Sequence, residues 1–182
     1  MENHGGNDFI ILLLYVDVML IIVKDVSKID NLKRELSKSF AMKDLGSAKQ
    51  ILGMKISLDK KTGKLWLSQE AYVEKVLEIF NMNKIKSICS PLASHFKLSS
   101  EHCSTSEKEK QEMRGVLYAS VVGSLMYAMV CTRPDIAHTV GVVNRFLSNP
   151  CKKHWITVKW ILRYLRGTSM VCLCFGGDKP VL

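Results

Sequence analysis

A run of fifteen residues, Phe9 to Val23, constrains the fold more than any other feature, because it is apolar except for one central charge, Asp17. A transmembrane helix needs about 20 apolar residues, and a carboxylate at its centre costs about 2.5–3.5 kcal/mol. Two buried strands that fold back at Asp17 fit the same length. The turn contains no Gly or Asn, so its local chemistry does not itself signal a hairpin. The run therefore favours a buried β-hairpin over a membrane helix.

Periodicity outlines the elements that follow this run. Ser27-x-x-Asp30 resembles a capping box that opens a helix, whose apolar stripe extends from Val26 to Phe40. Apolar and polar residues alternate over 54–58, which predicts a strand that returns through a Gly-containing turn. Ser68 is then expected to cap a second amphipathic helix.

The second half of the chain is expected to be mostly helical, after a polar linker at 99–106. The expected helices cover 107–131, 134–147 and 152–166, and a final strand covers 170–175. Gly115 or Gly123 is the expected bend in the first of these helices, Thr132 a cap for the second, and Gly167 the end of the third. A strand hairpin, a helix, a second hairpin and a helical half predict an α+β fold.

The composition is globular, with 47% hydrophobic and 24% charged residues among 182, enough for one domain or two small ones. The net charge of +9 favours a polyanionic partner, either nucleic acid or an anionic membrane surface. The six cysteines form no C-x-x-C pair and no Cys/His spacing typical of zinc sites. The first eight residues lack the basic region of a secretory leader. We therefore expect reduced thiols in an intracellular chain, cytoplasmic or nuclear.

Four basic residues of the last helix, Lys152, Lys159, Arg163 and Arg166, recur at spacings that place them on one face. Such a stripe suits contacts to a phosphate backbone, but an ordinary solvated face explains it equally well. Trp160 on the same helix is expected to pack rather than to stack on a base.

Two further polar positions are interpreted as structural. Asp135, which follows Arg133 and Pro134 at a helix start, is expected to interact favourably with the helix N-terminus. His154 has no nucleophile or carboxylate close to it in the sequence, so we assign it no chemistry.

Three segments, in order, resemble the reverse transcriptase of copia-type LTR retrotransposons. The first is Leu14 to Ile21 (LYVDVMLI), which is similar to the family's L-Y-V-D-D-M-L-I. The second is FAMKDLG at 40–46 with ILGMKI at 51–56. The third combines GSLMY at 123–127, TRPDI at 132–136, His154-Trp155 and ILRYLRGT at 161–168. Their order and spacing follow the family over nearly the whole chain.

The resemblance implies positions for these segments in a polymerase. The Asp17 hairpin would be the catalytic hairpin of the palm, and Leu52, Gly53 and Met54 would correspond to the primer grip. Residues 1–68 would then be the C-terminal part of the palm, and 69–182 a helical thumb- or connection-like region. The family's fingers and its other metal-binding Asp would precede Met1, and its ribonuclease H domain would begin after Leu182. The implied partner is a primer–template duplex of RNA and DNA.

The resemblance also implies chemistry that depends on Mg²⁺. Phosphoryl transfer to a primer hydroxyl uses two divalent ions, which require carboxylate ligands. Asp17 keeps the first position of the family's adjacent Asp pair, but Val18 replaces the second and supplies no ligand atom. We therefore expect Asp17 to be a vestigial metal ligand, stable Mg²⁺ binding to be lost, and the chain alone not to polymerise DNA. Without the resemblance, Asp17 would be interpreted simply as a turn residue.

Two hypotheses follow. In the first, the chain is a fragment of an RNA-directed DNA polymerase that works only with further polymerase segments. In the second, it is a non-catalytic basic module that binds nucleic acid or a partner. A membrane-attached protein, which rests on Phe9–Val23 alone, is the least favoured interpretation.

Overall fold

A computed structural model of the chain describes residues 9–23, 25–93, 96, 98–99 and 107–176. It contains helices and antiparallel sheets, which confirms the α+β class. The chain divides into two compact units, an N-terminal unit that ends at Ala48 and a C-terminal unit that begins at Lys49. The division falls before the second hairpin rather than after Ser68, because that hairpin shares a sheet with a strand near the end of the chain.

The N-terminal unit is a hairpin followed by one helix. Strands β1 (Ile10–Tyr15) and β2 (Val18–Val23) pair antiparallel, with Ile10 opposite Val23 and Tyr15 opposite Val18. Helix α1 (Val26–Ser39) follows. Its N-cap is Asp25, whose carboxylate accepts a hydrogen bond from the Ser27 amide at 3.0 Å. The prediction that Ser27 opens a capping box is therefore wrong, because Asp25 already supplies the acceptor for the first free amide.

The hairpin was expected to be buried, and this part of the prediction is wrong. Every residue of β1 is exposed, and β2 has two exposed and four half-buried residues, none of them fully buried. Within the N-terminal unit α1 lies against β2, so one helix covers part of one strand. A two-stranded sheet with a single helix cannot cover both of its faces.

The C-terminal unit contains a four-stranded antiparallel sheet in the order β3-β4-β5-β6. The strands are β3 (Gln50–Ile51), β4 (Met54–Asp59), β5 (Lys64–Ser68) and β6 (Leu173–Phe175). The predicted second hairpin is β4–β5, and the predicted final strand is confirmed over three residues.

The described residues include six α-helices, five of them in this unit. These five are α2 (Glu70–Ile79), α3 (Glu107–Arg114), α4 (Tyr118–Cys131), α5 (Ala137–Asn144) and α6 (Lys152–Gly167). The bend between α3 and α4 is 55° and begins at Gly115, whereas Gly123 lies inside α4. A 3₁₀ turn, Pro134–Ile136, precedes α5, which ends three residues earlier than predicted.

Both predicted caps in this unit are wrong. The N-cap of α2 is Gln69 rather than Ser68, although the Ser68 hydroxyl accepts from the Glu70 amide at 3.3 Å. Thr132 ends α4 instead of opening the next helix, and its hydroxyl donates to Gln69 Oε1 at 2.8 Å.

The core of the C-terminal unit lies among α2, α4, α5 and α6. The apolar face of α6 belongs to this core, since Val158, Leu162 and Leu165 are buried and Trp155 is half-buried. Across the described residues no single helix has the length and apolarity needed to cross a membrane, although α3 and α4 together meet that criterion by length and composition. The predicted linker at 99–106 lies outside the described residues except for Ser99, as does Cys103.

Candidate functional site

The hairpin tip presents Asp17 to solvent. Tyr15 and Val18 form the last pair of the ladder, so Val16 and Asp17 are the two central residues of the turn. The predicted antiparallel hairpin with Asp17 at its tip is therefore confirmed. Val16 adopts a φ of +53°, which is rare for a β-branched residue. Such a conformation costs on the order of 1–3 kcal/mol and is found most often at functional sites.

The single carboxylate at this tip does not fit a pair of magnesium ions. Asp17 is exposed, and its neighbour Val18 begins β2 with a hydrocarbon side chain. In the described parts of the chain, no three His, Cys, Asp or Glu side chains are placed to hold a metal ion. Mg²⁺ requires near-octahedral oxygen ligands and keeps several waters, so one exposed carboxylate holds it weakly.

The turn predicted as primer-grip-like is a tight β3–β4 connection. Its central residues Leu52 and Gly53 have φ values of +50° and +71°, as a type I′ turn requires. The hydroxyl of Tyr127, on α4, donates a hydrogen bond to the Leu52 carbonyl. The Tyr127 ring packs edge-on against Tyr72 at 5.0 Å, and the Tyr72 hydroxyl donates to the Ser124 carbonyl. Two aromatic rings thus fix this turn on the helical core, and the role of Leu52–Met54 as a primer grip stays a prediction.

The basic stripe of α6 lies against an irregular segment that we call the strap, residues 83–90. Arg163 Nε donates to the Lys86 carbonyl at 2.8 Å, and Trp160 Nε1 donates to the Ser90 carbonyl at 2.9 Å. Arg166 donates to the carbonyls of Asn83 and Ile85. The prediction that Trp160 packs is confirmed, because its ring also lies edge-on to Phe96 at 5.4 Å.

The other two residues of the stripe are placed differently. Lys152 is exposed at the start of α6, and Lys159 is half-buried, with its ammonium 5.9 Å from the centre of the Trp155 ring. The predicted phosphate-binding role of all four residues stays a prediction. Two of the four stripe residues hold the strap in place, a structural role that the sequence did not predict.

Arg133 forms a buried cluster that sequence reasoning interpreted only as structural. Its side chain is 1% exposed and makes a two-pronged pair with Asp135, at 3.0 and 2.7 Å. It also donates to the carbonyl and the hydroxyl of Thr168, at the end of α6. The Tyr164 hydroxyl donates to Asp135 at 2.8 Å. Asp135 therefore bonds to specific donors, in addition to lying near a helix start, and the cluster ties the 3₁₀ turn to α6.

The pKa of Asp135 reflects opposing influences in this cluster. Burial alone would raise the pKa, but the hydrogen bonds from Arg133 and Tyr164 and the Arg133 charge lower it below its usual value. Burial and the bond to Asp135 raise the pKa of Tyr164. Both pKa shifts favour an ionised Asp135 that accepts a hydrogen bond from a neutral Tyr164.

His154 has a structural place at the start of α6. It is fully buried, its Nδ1 accepts from the Cys151 amide at 3.1 Å, and its ring stacks on Phe146 at 3.8 Å. These contacts cap α6 and pack it against the end of α5. The sequence carries no standard signal for this cap, since a capping box pairs Ser or Thr with Glu or Gln three residues later, and here the residues are Cys151 and His154.

Residues 1–94 match the family model described as "Reverse transcriptase (RNA-dependent DNA polymerase)". This match covers more than half of the chain, and the chain belongs to that family. It is the reverse transcriptase region of a copia-type retrotransposon polyprotein, as the following similarities show.

The chain is 65% identical over 181 residues to a retrovirus-related Pol polyprotein from a TNT transposon of Nicotiana tabacum. It is 35% identical over 163 residues to the Pol polyprotein of transposon RE1 of Arabidopsis thaliana, and 31% identical over 171 residues to a putative transposon Ty5-1 protein of Saccharomyces cerevisiae. These alignments cover 100%, 90% and 92% of this chain, but only 14%, 10% and 52% of the respective relatives. No solved structure matches the chain.

Proposed function

We propose that this chain is the C-terminal part of an RNA-directed DNA polymerase domain, with a catalytic-type hairpin that does not polymerise DNA by itself. The observation that carries the proposal is the hairpin tip, where Asp17 is exposed and position 18 carries a hydrocarbon. Strained turns cluster at functional sites, and a turn that holds two adjacent carboxylates outward suits a metal-dependent site. This turn holds only one.

The proposal divides the chain at Ser68, inside the C-terminal unit, into two parts of a polymerase. The β1–β2 hairpin and the β3–β4 turn would belong to the palm, and the helices from α2 onwards to a thumb- or connection-like region. The exposed apolar strands of the hairpin support an assembly with further polymerase segments, since large exposed apolar surfaces mark interaction sites. The proposal also includes a primer–template duplex as partner, an intracellular location, and Mg²⁺ as the metal of the family, which this chain alone does not hold stably.

Primer extension tests the proposal. We would compare this chain and its Val18→Asp variant, each alone and each fused behind the residues that precede the matched region in the tobacco relative. Both single chains should be inactive, because one added carboxylate does not complete the ligand set. The fused Val18→Asp variant should exceed its Val18 parent about 100-fold or more, since metal electrostatics contributes several kcal/mol and each 1.36 kcal/mol is tenfold in rate.

The matched control is Asp17→Asn in the fused Val18→Asp protein, which should return to background. Extension by the unfused 182-residue chain would contradict the proposed lack of activity. No gain on Val18→Asp in the fused protein would show that Val18 is not the decisive lesion.

A second candidate function is a non-catalytic nucleic-acid-binding module. The net charge of +9 and the basic residues of α6 favour it. It predicts salt-dependent binding of a duplex without any extension, so the two readouts separate the candidates.

A further inference from the structure

The strap and α6 together form a basic surface in the C-terminal unit. The sequence of the strap, 83–90, and of α6, 152–167, contains seven Lys and Arg residues and no Asp or Glu. The two segments are joined by hydrogen bonds from Trp160, Arg163 and Arg166 to strap carbonyls. These acceptors are neutral, so the bonds orient the guanidinium groups without cancelling their charge.

The contacts divide the basic residues into two kinds. Arg163 and Arg166 direct their Nε atoms at the strap backbone, and Arg163 also lies over the Trp160 ring at 5.3 Å. On the strap, Ile85 packs against the helical core, whereas Lys84 and Lys86 on either side of it are exposed. The arginines therefore hold the strap, and the strap presents two lysines to solvent.

We propose that Lys84 and Lys86 bind the phosphate backbone of a nucleic-acid duplex, and that Arg163 and Arg166 act as positioning residues that hold the strap in place. This inference rests on the proposed function and moves the centre of the expected phosphate contacts from α6 to the strap. Lysine ammonium groups suit such contacts, which position a duplex without reading its sequence.

Charge and apolarity around the strap favour this partner and its placement. Glu74 and Glu78 line an open cavity of about 540 Å³ beside Asn83 and Arg166, so a polyanion is repelled from that end of the strap. A membrane-binding surface would need exposed apolar residues to insert. The strap's isoleucines, Ile85 and Ile88, are half-buried, which favours a duplex over a lipid surface.

The first test measures binding of a fluorescent RNA–DNA duplex by anisotropy across a salt series, without Mg²⁺. The variant Lys84→Gln/Lys86→Gln is compared with Lys60→Gln/Lys61→Gln, which removes the same charge from the exposed β4–β5 turn. The strap variant should reduce the slope of log K against log salt by roughly 2, because each phosphate contact contributes about 0.9. The turn variant should leave the slope near the parent value.

The second test keeps the charge and removes the positioning geometry, with Arg163→Lys/Arg166→Lys. An ammonium cannot reproduce the planar donor geometry of a guanidinium. The strap amides should therefore exchange hydrogen faster, and duplex affinity should fall although the net charge is unchanged. Circular dichroism of the helices confirms that each variant is folded, and the strap lysine variant removes none of the anchoring bonds.

Several outcomes would overturn the inference. They are equal slope changes in both lysine pairs, no change in either, no duplex binding by the parent chain at low salt, or unchanged exchange and affinity in the arginine variant. Equal competition by vesicles containing phosphatidylserine would assign the surface to a membrane instead. None of these readouts depends on primer extension, so a failure here is distinguishable from a failure of the proposed polymerase assignment.

Discussion

The two units of this chain use apolar residues in opposite ways. In the hairpin, fourteen apolar residues flank one Asp, yet Leu14 is 69% and Val16 84% exposed. In the C-terminal unit, α6 is more polar than the hairpin, yet its residues His154 and Thr157 are completely buried. Nearby Arg133 is buried too. Burial therefore depends on how many layers of secondary structure surround an element. Apolarity only determines which residues gain free energy when they are buried.

The largest expected difference in stability between a buried and an exposed position is that between two ion pairs. Arg133→Met removes the buried partner of Asp135 and the donor to Thr168, and should destabilise the C-terminal unit by about 3–5 kcal/mol. Lys33→Met removes the exposed pair with Asp44, which is 2.8 Å long, and should cost less than about 1 kcal/mol. Denaturant unfolding followed by Trp fluorescence measures the first, since all three Trp residues lie in the C-terminal unit. Hydrogen exchange of α1 measures the second, and equal costs would remove the contrast.

Two leucines provide the same comparison for apolar packing. Leu125 in α4 is fully buried, so Leu125→Ala should cost about 2–5 kcal/mol, by lost transfer energy and a cavity. Leu14→Ala at the exposed hairpin should change stability by less than about 0.5 kcal/mol. The same fluorescence assay and hydrogen exchange of the β1–β2 amides give the two values. A large cost at Leu14 would show that the hairpin is covered in solution.

The hairpin turn should respond to relief of strain. Val16→Gly replaces a β-branched residue at φ +53° and should stabilise the hairpin by about 1 kcal/mol, since Gly adopts this conformation freely. The control Val18→Gly lies in the regular strand and should destabilise it by about 0.5–1 kcal/mol. Amide exchange across the Tyr15–Val18 pair reports both. Two changes of the same sign would contradict the strain argument.

The smallest expected effect is a pH dependence in the Arg133 cluster. The pKa of Asp135 is lowered in the folded chain, so its contribution to stability is present above the unfolded pKa, about 3.9, and is lost as pH falls through the lower folded pKa. The stability difference between the parent and Asp135→Asn should therefore shrink below about pH 4. Unfolding followed by Trp fluorescence from pH 3 to pH 6 measures it. A difference that is constant over this range would mean that folding does not lower the pKa of Asp135.

Much of the fold could be predicted because the signals were local. A single charge in an apolar run located the turn at Asp17, and alternation located β4 and β5. Caps were less predictable, since Asp25 and Ser27, or Ser68 and Gln69, are all competent acceptors within two residues of each other. The exposure of the hairpin could not be predicted. An apolar pattern identifies the residues that can be buried, but it does not identify the layers of structure that would cover them.

The candidate site was predictable only where it depends on residue types. Asp17 and Val18 could be assigned from the family motif, and the fixed φ angles of Leu52 and Gly53 are compatible with the predicted turn. The strap could not be found, because its acceptors are backbone carbonyls, which every residue carries. Its donors lie about 70 to 83 positions further along the chain.

The sheet of the C-terminal unit has a consequence for synthesis on the ribosome. Strand β5 pairs with β6, and Leu65 lies opposite Phe175, about 110 residues later in the chain. One edge of β5 therefore stays uncovered until β6 has been synthesised. Until then the nascent chain exposes an edge strand that contains Leu65, Trp66 and Leu67, which is a template for pairing with other chains. A chaperone that holds this edge during translation would protect the segment for the time that the ribosome needs to complete α6. At 5–20 residues per second, this is roughly 5–20 seconds.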